Sequence, residues 1–378
     1  MSCIESLIAP ETFDNFISEY YEKKHYLSRS SERNRYQDII SSKEVFDFLH
    51  TYNLGYPKIA LSKDGNKIAI DQYNKQVFNN RMQEYVSDVP AVINAFKSGA
   101  TVALQGIQLW HKNVVALCNK LSSEMAIALN VNLYLSPVSS PGFSRHYDSH
   151  DSFIIQIEGS KTWKLFESPV SLPNSNIPQS NYDFSNAKHI ETLVLNEGDV
   201  LYVPRGLVHE VSADTEQSLH LTIGFVQFTI FDALNALASD PDCAELRKTL
   251  SIYTDLRDAE KNYSDILSAV NSPKYRNKIE KILMFKKFKL IENSSFFPET
   301  NTANSNIFFY NSNAPFHTHH LDKKYYLYIA NQVFTLDETL KKLFFKIKDQ
   351  GQINIDDLPE SGKETEFVNK LKLLGVLY

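Results

Sequence analysis

The stretch "GFSRHYDSHDSFIIQ", residues 142–156, places two histidines and two aspartates within six positions, directly before an apolar run. The run reads as a buried β-strand, because core strands are short apolar segments rich in β-branched and aromatic residues. Side chains at positions i and i+2 of a strand point to the same face, so His146 and Asp148 would present an imidazole and a carboxylate side by side. The stretch therefore predicts half of a metal site, anchored by a rigid strand.

A second motif, about sixty residues further along the chain, supplies a third ligand. The sequence "GDVLYVPRGLVHEV" leads a predicted strand through a Pro-Arg-Gly turn to His209. On the facing wall of a barrel, His209 would complete a set of two histidines and one carboxylate with His146 and Asp148. That set leaves coordination positions open and is typical of non-haem Fe(II) oxygenases. Isolated triplets of this kind also arise by chance, so the interpretation depends on the residues around them.

Those surrounding residues favour a site for an anionic 2-oxo acid beside the metal. Lys161, in "EGSKTWKLF" directly after the strand that follows the ligand pair, is the predicted cation for the distal carboxylate, and Trp163 shares its face. In "SLHLTIGF", His220 and Thr222 form a polar face that alternates with apolar residues. This alternation suits a strand that lines a polar barrel lumen. The combination indicates an oxygenase site rather than a chance triplet.

Between about residues 131 and 226 the chain reads as short strands separated by turn sequences such as "EGS", "NEGD" and "PRG". Many short strands at regular spacing predict a barrel or a sandwich. Apolar spacing predicts amphipathic helices over residues 11–28 and 112–129. The composition, with 43% hydrophobic and 22% charged residues, is that of a folded globular protein. We therefore expect a mainly β core with added helices.

The strand pattern ends near residue 228, and helical patterns dominate the remainder of the chain. A polar helical segment over residues 229–295 is expected to be a connector or an oligomerisation element. Residues 296–378 carry two amphipathic helices, the first with a capping-box pattern that starts at Thr335, and are predicted to form a winged-helix-like module. From residue 331 onward, seven Lys and no Arg stand against eight Asp and Glu. This balance favours protein contacts over DNA binding.

Several other polar residues admit more than one interpretation. His150 shares the face of His146 if the strand stays regular. It is then either a substrate contact or a residue at the cavity entrance without a ligand role. Arg205 in the "PRG" turn is either a solvated charge or a partner for a substrate carboxylate. The histidines of "NAPFHTHH" have a spacing that could take a metal, but neither a cysteine nor a second ligand pair lies nearby. We therefore expect a loop at His317, His319 and His320.

The motifs together resemble those of a known enzyme family. The segments "NLYLSP", "HYDSHDSFIIQIEGSKTWKLF", "GDVLYVPRGLVHEV" and "HLTIGF" are similar to the cupin-type JmjC oxygenases of the ribosomal oxygenase family, which are Fe(II)- and 2-oxoglutarate-dependent protein hydroxylases. The resemblance implies a double-stranded β-helix, or jelly-roll, barrel. It also implies roles for single residues: iron ligands at His146, Asp148 and His209, a partner for the 2-oxoglutarate carboxylate at Lys161, and cosubstrate contacts at Asn132 and Thr222. A core amide is an equal alternative for Asn132.

The resemblance further implies an oxygenase domain over residues 1–228, a helical dimerisation region over 229–295 and a winged-helix-like domain over 296–378. The expected activity is hydroxylation of a polypeptide side chain, in a ribosomal protein or a precursor peptide, with release of succinate and carbon dioxide. A lysine demethylase, an oxygenase that tailors a biosynthetic precursor peptide or a small molecule, and a non-catalytic cupin or winged-helix scaffold remain alternatives. The net charge of −6 argues against a nucleic-acid partner. Three scattered cysteines, no secretory leader and no membrane span predict a cytoplasmic protein without disulfides. The resemblance, through its helical dimerisation region, implies a homodimer.

Overall fold

The computed structural model describes most of the chain as two compact units. The first contains residues up to 125 and 129–225, and the second contains residues 126–128 and the described residues from 226 onward. Most of the predicted helical connector over 229–295 lies outside the described residues. The structure describes residues 2–247, 264, 279 and 307–377, apart from the gaps 53, 80–81, 143, 214, 311–315, 322–323, 330–331, 360–361 and 375.

Most helices begin at a side chain that accepts a hydrogen bond from the first turn, as a stable N-terminus requires. Ser41, for example, forms a capping box with Glu44 at the start of α3. The helix predicted to start from Thr335 instead begins after Asp337, whose carboxylate accepts from the backbone of Thr339 and Leu340. The described helices are α1 (Cys3–Ile8), α2 (Phe13–Glu19), α3 (Ser42–Thr51), α4 (Val89–Lys97), α5 (Lys112–Met125), α6 (Ile230–Ala238), α7 (Glu338–Gln350) and α8 (Lys363–Leu373).

The predicted helix over residues 11–28 is wrong in its length, because the chain leaves the helix after Glu19. Glu22 adopts a left-handed backbone conformation with φ of 57°. The chain then extends as strand β1 (Tyr26–Ser28), which pairs antiparallel with Val200–Tyr202 at the edge of the barrel. The apolar spacing continues past the helix because Tyr20 stacks with Phe16 on the same side.

The strands of the first unit form two main sheets. One has the order β1-β12-β9-β14-β7-β6-β2-β3 and the other the order β11-β10-β13-β8, while β4 and β5 form a separate hairpin. Several neighbours in the larger sheet are distant in sequence, such as β12 beside β9 and β14 beside β7, as in a jelly roll. The remaining strands of this unit are β2 (Ile59–Lys63), β3 (Asn66–Lys67), β4 (Asn74–Asn79), β5 (Met82–Ser87), β6 (Thr101–Leu104), β7 (Ala128–Ser136), β8 (Ser140–Pro141), β9 (Ser152–Glu158), β10 (Lys161–Phe166), β11 (His189–Leu195), β12 (Val200–Val203), β13 (Val208–Ala213) and β14 (Ser218–Val226).

The two sheets pack face to face and share a hydrophobic core. Trp163 and Leu165 of the smaller sheet contact Ile154, Leu201 and Val203 of the larger one, and all five are nearly inaccessible to solvent. Side chains alternate along each strand, so one face of each sheet lines the interior. This arrangement confirms the expected β core with added helices, and it places the ends of β9, β10, β13 and β14 around one cavity.

The second unit contains its own small sheets and helices. Strands β16 (Phe316–Leu321), β17 (Lys324–Ile329) and β18 (Gln332–Leu336) form an antiparallel sheet, and β15 (Ile307–Phe309) pairs with β19 (Gln352–Asn354). Phe344 of α7 and Leu371 of α8 are fully buried. The loop predicted for His317, His319 and His320 is wrong, because these residues belong to β16 and pair with Tyr325–Tyr328 of β17. The three tyrosines and the isoleucine of β17 favour a strand, and the two strands pair in continuous register from Phe316 to Leu321.

Candidate metal centre

His146, Asp148 and His209 converge on one point of the barrel. Their ligand atoms all lie within 4.8 Å of one another, and the His209 Nε2 to Asp148 Oδ2 distance is 3.9 Å. His146 precedes the regular strand β9 and pairs with His209 as a single antiparallel bridge, each backbone N–H donating to the other residue's carbonyl at 3.2 and 2.8 Å. This bridge brings a loop residue and a β13 residue together across 63 positions of sequence.

Backbone carbonyls fix the orientation of both imidazoles. His146 Nδ1 donates to the Ser144 carbonyl at 2.7 Å, and His209 Nδ1 donates to the Leu207 carbonyl at 3.0 Å. With Nδ1 protonated in each ring, Nε2 carries the lone pair that a metal requires. Burial, reinforced by the adjacent His146, lowers the pKa of His209 to about 4, so this ring stays neutral near physiological pH.

A glycine in the turn between β12 and β13 secures the third ligand. Gly206 donates its backbone N–H to the Asp148 carbonyl at 2.9 Å. Its φ of 89° lies in the left-handed region, and a Cβ there would come within 2.9 Å of the Val170 carbonyl oxygen. Only glycine meets both conditions without strain. The "PRG" turn therefore helps to position Asp148 as well as His209.

The donor set fits Fe(II). Two imidazole nitrogens and one carboxylate on one side of the cavity match the facial set that leaves coordination positions open. No cysteine lies among the ligand groups found in the described residues, so the thiolates that select zinc or copper(I) are absent from this cluster.

The cluster borders a cavity of about 440 Å³, within the range of small-molecule sites. Lys161, only 4% exposed, also lines this cavity. Its ammonium donates to the Ser136 hydroxyl at 2.9 Å and to His220 Nδ1 at 3.4 Å. Desolvation lowers the pKa of Lys161 to about 7. Among the residues described, no carboxylate forms an ion pair with it, so this wall of the cavity suits an anion.

Two more polar groups lie beside Lys161. His220 is 4% exposed, and its ring stacks on Tyr134 with centroids 5.0 Å apart. Burial and the charge of Lys161 lower the pKa of His220 well below its ordinary value. Thr222 lines the same cavity, as the alternation in β14 predicts. Tyr134 also lines it but was missed from sequence, although its i+2 spacing from Asn132 is a signal that could have found it.

Asn132 lies one step away from the cavity. Its amide oxygen accepts from the Gly106 backbone N–H at 3.2 Å, and its side chain hydrogen-bonds the Tyr134 hydroxyl. It is not among the residues that line the cavity. The hydrogen bonds to Gly106 and Tyr134 match the alternative role of Asn132, an amide satisfied within the protein. A direct contact between Asn132 and a cosubstrate stays a prediction.

Arg205 and His150 have structural contacts that sequence reasoning did not anticipate. The Arg205 side chain is 8% exposed and lies 2.6 Å from Glu22 and 3.9 Å from Asp151, so the prediction of a solvated or substrate-facing charge is wrong. The N-terminal segment that contains Glu22 covers this turn, and the sequence around Arg205 gives no sign of that contact. The His150 ring packs so close to Gly224 that a Cβ at this glycine would lie 2.5 Å from the ring's Cδ2 atom.

Comparison with known proteins reveals related sequences. Residues 108–232 match the JmjC domain. The chain is 27% identical over 283 residues to the Dictyostelium discoideum protein named bifunctional lysine-specific demethylase and histidyl-hydroxylase NO66, covering 72% of this chain and 51% of that protein. It is 28% identical over 230 residues to the Drosophila melanogaster protein of the same name, covering 59% and 34%. The chain thus spans about half or less of the length of these relatives.

Solved structures show the same fold. The Escherichia coli ribosomal oxygenase YcfD superposes with a TM-score of 0.56 at 14% identity, covering 97% of this chain and 98% of that one. A YcfD structure in complex with cobalt and 2-oxoglutarate also gives 0.56 at 14% identity, covering 98% of each chain. The predicted JmjC resemblance and the cupin barrel are confirmed. The winged-helix classification of the second unit stays a prediction. Among the described residues, no helix has the length and apolarity to span a membrane.

Proposed function

We propose that this JmjC chain is an Fe(II)- and 2-oxoglutarate-dependent oxygenase that hydroxylates a polypeptide side chain. One observation carries the proposal: a facial His-Asp-His cluster and a buried lysine without a carboxylate partner among the described residues line the same cavity. The bound iron would supply dioxygen activation, in which one oxygen atom enters a substrate C–H bond and the other enters succinate as 2-oxoglutarate loses carbon dioxide.

In this proposal the chain's own residues hold and orient the reactants. Nε2 of His146 and His209 and the Asp148 carboxylate bind the metal on one side. The Lys161 ammonium binds the distal carboxylate of 2-oxoglutarate, with Thr222 beside it as a second polar group. Apolar side chains on the same cavity walls limit the entry of water, which strengthens the charge interactions inside; they are Ile154, Val203 and Val211.

The polypeptide substrate rests on the relatives and on the shared fold. Their names describe histidyl hydroxylation and lysine demethylation, and the YcfD structures are those of a ribosomal oxygenase. A ribosomal protein is therefore the first substrate class to test, and a precursor peptide is the second. Demethylation would use the same site, because hydroxylation of an N-methyl group releases formaldehyde.

The first experiment measures cofactor binding and turnover with matched variants. Anaerobic Fe(II) and 2-oxoglutarate should give visible charge-transfer absorption with the native protein, followed by succinate release in air. His146→Ala should abolish both signals, while Lys161→Ala should weaken 2-oxoglutarate binding. Suitable controls are His50→Ala, an exposed histidine of α3, and Lys164→Ala, an exposed lysine of the same strand as Lys161. Iron-loaded native protein without absorption or succinate would contradict the oxygenase and favour a non-catalytic scaffold.

The second experiment separates the substrate classes. Peptides from ribosomal proteins, methyl-lysine peptides and short precursor peptides are incubated with the loaded enzyme and analysed by mass spectrometry and a formaldehyde assay. Gain of one oxygen atom without formaldehyde identifies a hydroxylase. Formaldehyde with loss of a methyl group identifies a demethylase.

We also propose the domain plan implied by the resemblance, with a dimerisation region over residues 229–295 and a winged-helix-like domain over 296–378, in a cytoplasmic homodimer. The small antiparallel sheet with α7 and α8 supports the last domain. Light scattering on the full chain measures the oligomeric state, and a monomer at working concentrations would contradict the dimer.

A further inference from the structure

The residue between two of the ligands has an unusual backbone partner. His146 directs its backbone N–H and C=O toward His209, so in an antiparallel pair the groups of the next residue, Tyr147, face the opposite side. On that side the Gln179 amide donates to the Tyr147 carbonyl at 2.6 Å, and the Tyr147 N–H donates to Gln179 Oε1 at 3.3 Å. A carboxamide carries the donor and acceptor of a peptide group. Gln179 therefore takes the place of a neighbouring strand.

The Tyr147 side chain is held from the same side. It is completely buried, and its ring lies 5.7 Å from Phe184 and 6.3 Å from Tyr182, measured between centroids. Its hydroxyl donates to the Ile177 carbonyl at 3.3 Å. All these partners lie in residues 168–187, between β10 and β11, which we call the outer clasp.

The outer clasp also binds the residue before the first ligand. The Arg145 guanidinium donates to the carbonyls of Phe184 and Ser185 at 3.2 and 3.0 Å. It lies 4.1 Å from the centroid of the Phe166 ring and pairs with Glu210 of β13. Residues 145 and 147 are thus fixed from outside, while residues 146 and 148 point to the metal cluster.

We propose that Gln179 is a positioning residue for the metal centre, which it serves by fixing the backbone between His146 and Asp148. The inference rests on the proposed function, since it assumes that this cluster binds metal. Gln179 lines the rim of the cavity but is solvent-exposed, and its amide is engaged by Tyr147 rather than by the cluster. Partners that orient metal ligands typically change metal affinity by about 10- to 100-fold when they are removed.

The test is Co(II) titration of the full chain, followed by visible ligand-field absorption. Gln179→Leu keeps the approximate size of the side chain and removes both hydrogen bonds to Tyr147. We expect its Co(II) dissociation constant to rise about tenfold or more, and its ligand-field spectrum at saturation to differ from that of the native protein. The control is Gln72→Leu, an exposed glutamine beside the β4 hairpin, which should bind Co(II) like the native protein.

Other measurements distinguish the ways in which the inference can fail. If the native protein binds Co(II), His146→Ala does not, and Gln179→Leu matches the native affinity and spectrum, then the positioning role is wrong and the metal site stands. If native protein binds no Co(II), both proposals are wrong. In a further outcome, metal-free Gln179→Leu melts at a lower temperature than the native protein while its Co(II) affinity and spectrum stay native. That outcome would show that Gln179 only stabilises the fold. A raised KM for the peptide alone would make it a substrate contact.

Discussion

Replacing Lys161 with methionine is predicted to stabilise the ligand-free fold near neutral pH and to weaken 2-oxoglutarate binding. The lysine is 4% exposed and desolvation lowers its pKa from an ordinary 10.5 to about 7. Its ammonium has two hydrogen-bond partners, the Ser136 hydroxyl and His220, but no carboxylate partner among the described residues. A protonated Lys161 therefore destabilises the ligand-free fold until an anionic ligand pairs with it, as groups placed for binding rather than stability often do.

The size of the effect follows from proton linkage. A base whose pKa is lowered by folding binds fewer protons in the folded state than in the unfolded state. The destabilisation of the fold by Lys161 is therefore complete below pH ~7, and it disappears as the pH rises toward 10.5, the pKa of an ordinary lysine. The difference between about 7 and 10.5 corresponds to roughly 5 kcal/mol. Between these limits the free energy of unfolding should rise by roughly 1.4 kcal/mol per pH unit, or about 3 kcal/mol over two units. Lys161→Met should lack this slope.

Urea unfolding at three pH values between about 7.5 and 9.5 measures the slope. The native protein is compared with Lys161→Met and with Lys164→Met, an exposed control on β10. Subtracting the curves removes the contributions of all other titrating groups. Loss of a charge-assisted hydrogen bond costs about 1.5–3 kcal/mol, so 2-oxoglutarate should bind roughly 10- to 150-fold more weakly to Lys161→Met. Parallel pH curves, or equal 2-oxoglutarate affinities, would refute the reasoning.

Three further substitutions test the contacts around the site. Arg205→Met should lower the free energy of unfolding by about 3 kcal/mol at pH 8 in urea titrations. The difference in free energy of unfolding between this variant and the native protein should be smaller at pH 5. Burial raises the pKa of Asp151 to about 6, so its carboxyl group is mostly protonated at pH 5 and no longer needs a cationic partner. Asn132→Ala removes the acceptor of the Gly106 N–H and should cost about 1–3 kcal/mol by urea titration, with a smaller change in 2-oxoglutarate affinity than Lys161→Met gives. Gly142→Ala should cost at least about 1–3 kcal/mol by thermal unfolding, since its Cβ would lie 2.1 Å from a carbonyl of β13.

Much of the site was predictable because side chains alternate between the two faces of a strand with a period of two residues. The spacing of His146 and Asp148, the turn before His209 and the alternation around Thr222 each depend on a local rule, and the structure gathers all four residues around one cavity. The position of Lys161 was predictable for the same reason, since β10 directly follows β9 across a tight turn. Patterns of this kind report which face a side chain takes, and a closed barrel has only one interior.

Contacts made by distant loops could not be predicted in this way. Nothing local to Gln179 indicates that its amide reaches Tyr147, 32 positions earlier in the chain. The same holds for Arg205, whose partner Glu22 lies 183 positions away. The "PRG" turn has the composition of an exposed turn, and only the N-terminal segment that covers it makes its charge a buried one. Such pairings are fixed by topology, which composition and periodicity do not encode.

The crowded "HYDSHD" stretch shows where the alternation of side chains along a regular strand no longer applies. If residues 146–151 were one regular strand, His150 would share the cavity with His146 and Asp148. Regular pairing begins only at Ser152, however, and the His150 ring packs against Gly224 instead. Asp151 turns away from the metal cluster and is completely buried, accepting a hydrogen bond from the Tyr202 hydroxyl. Two of the four polar residues therefore face the metal cluster, whereas Asp151 bonds to Tyr202 and His150 packs against Gly224. A metal site that must keep coordination positions open has few protein ligands to hold its own geometry, so the backbone next to those ligands needs anchors of its own.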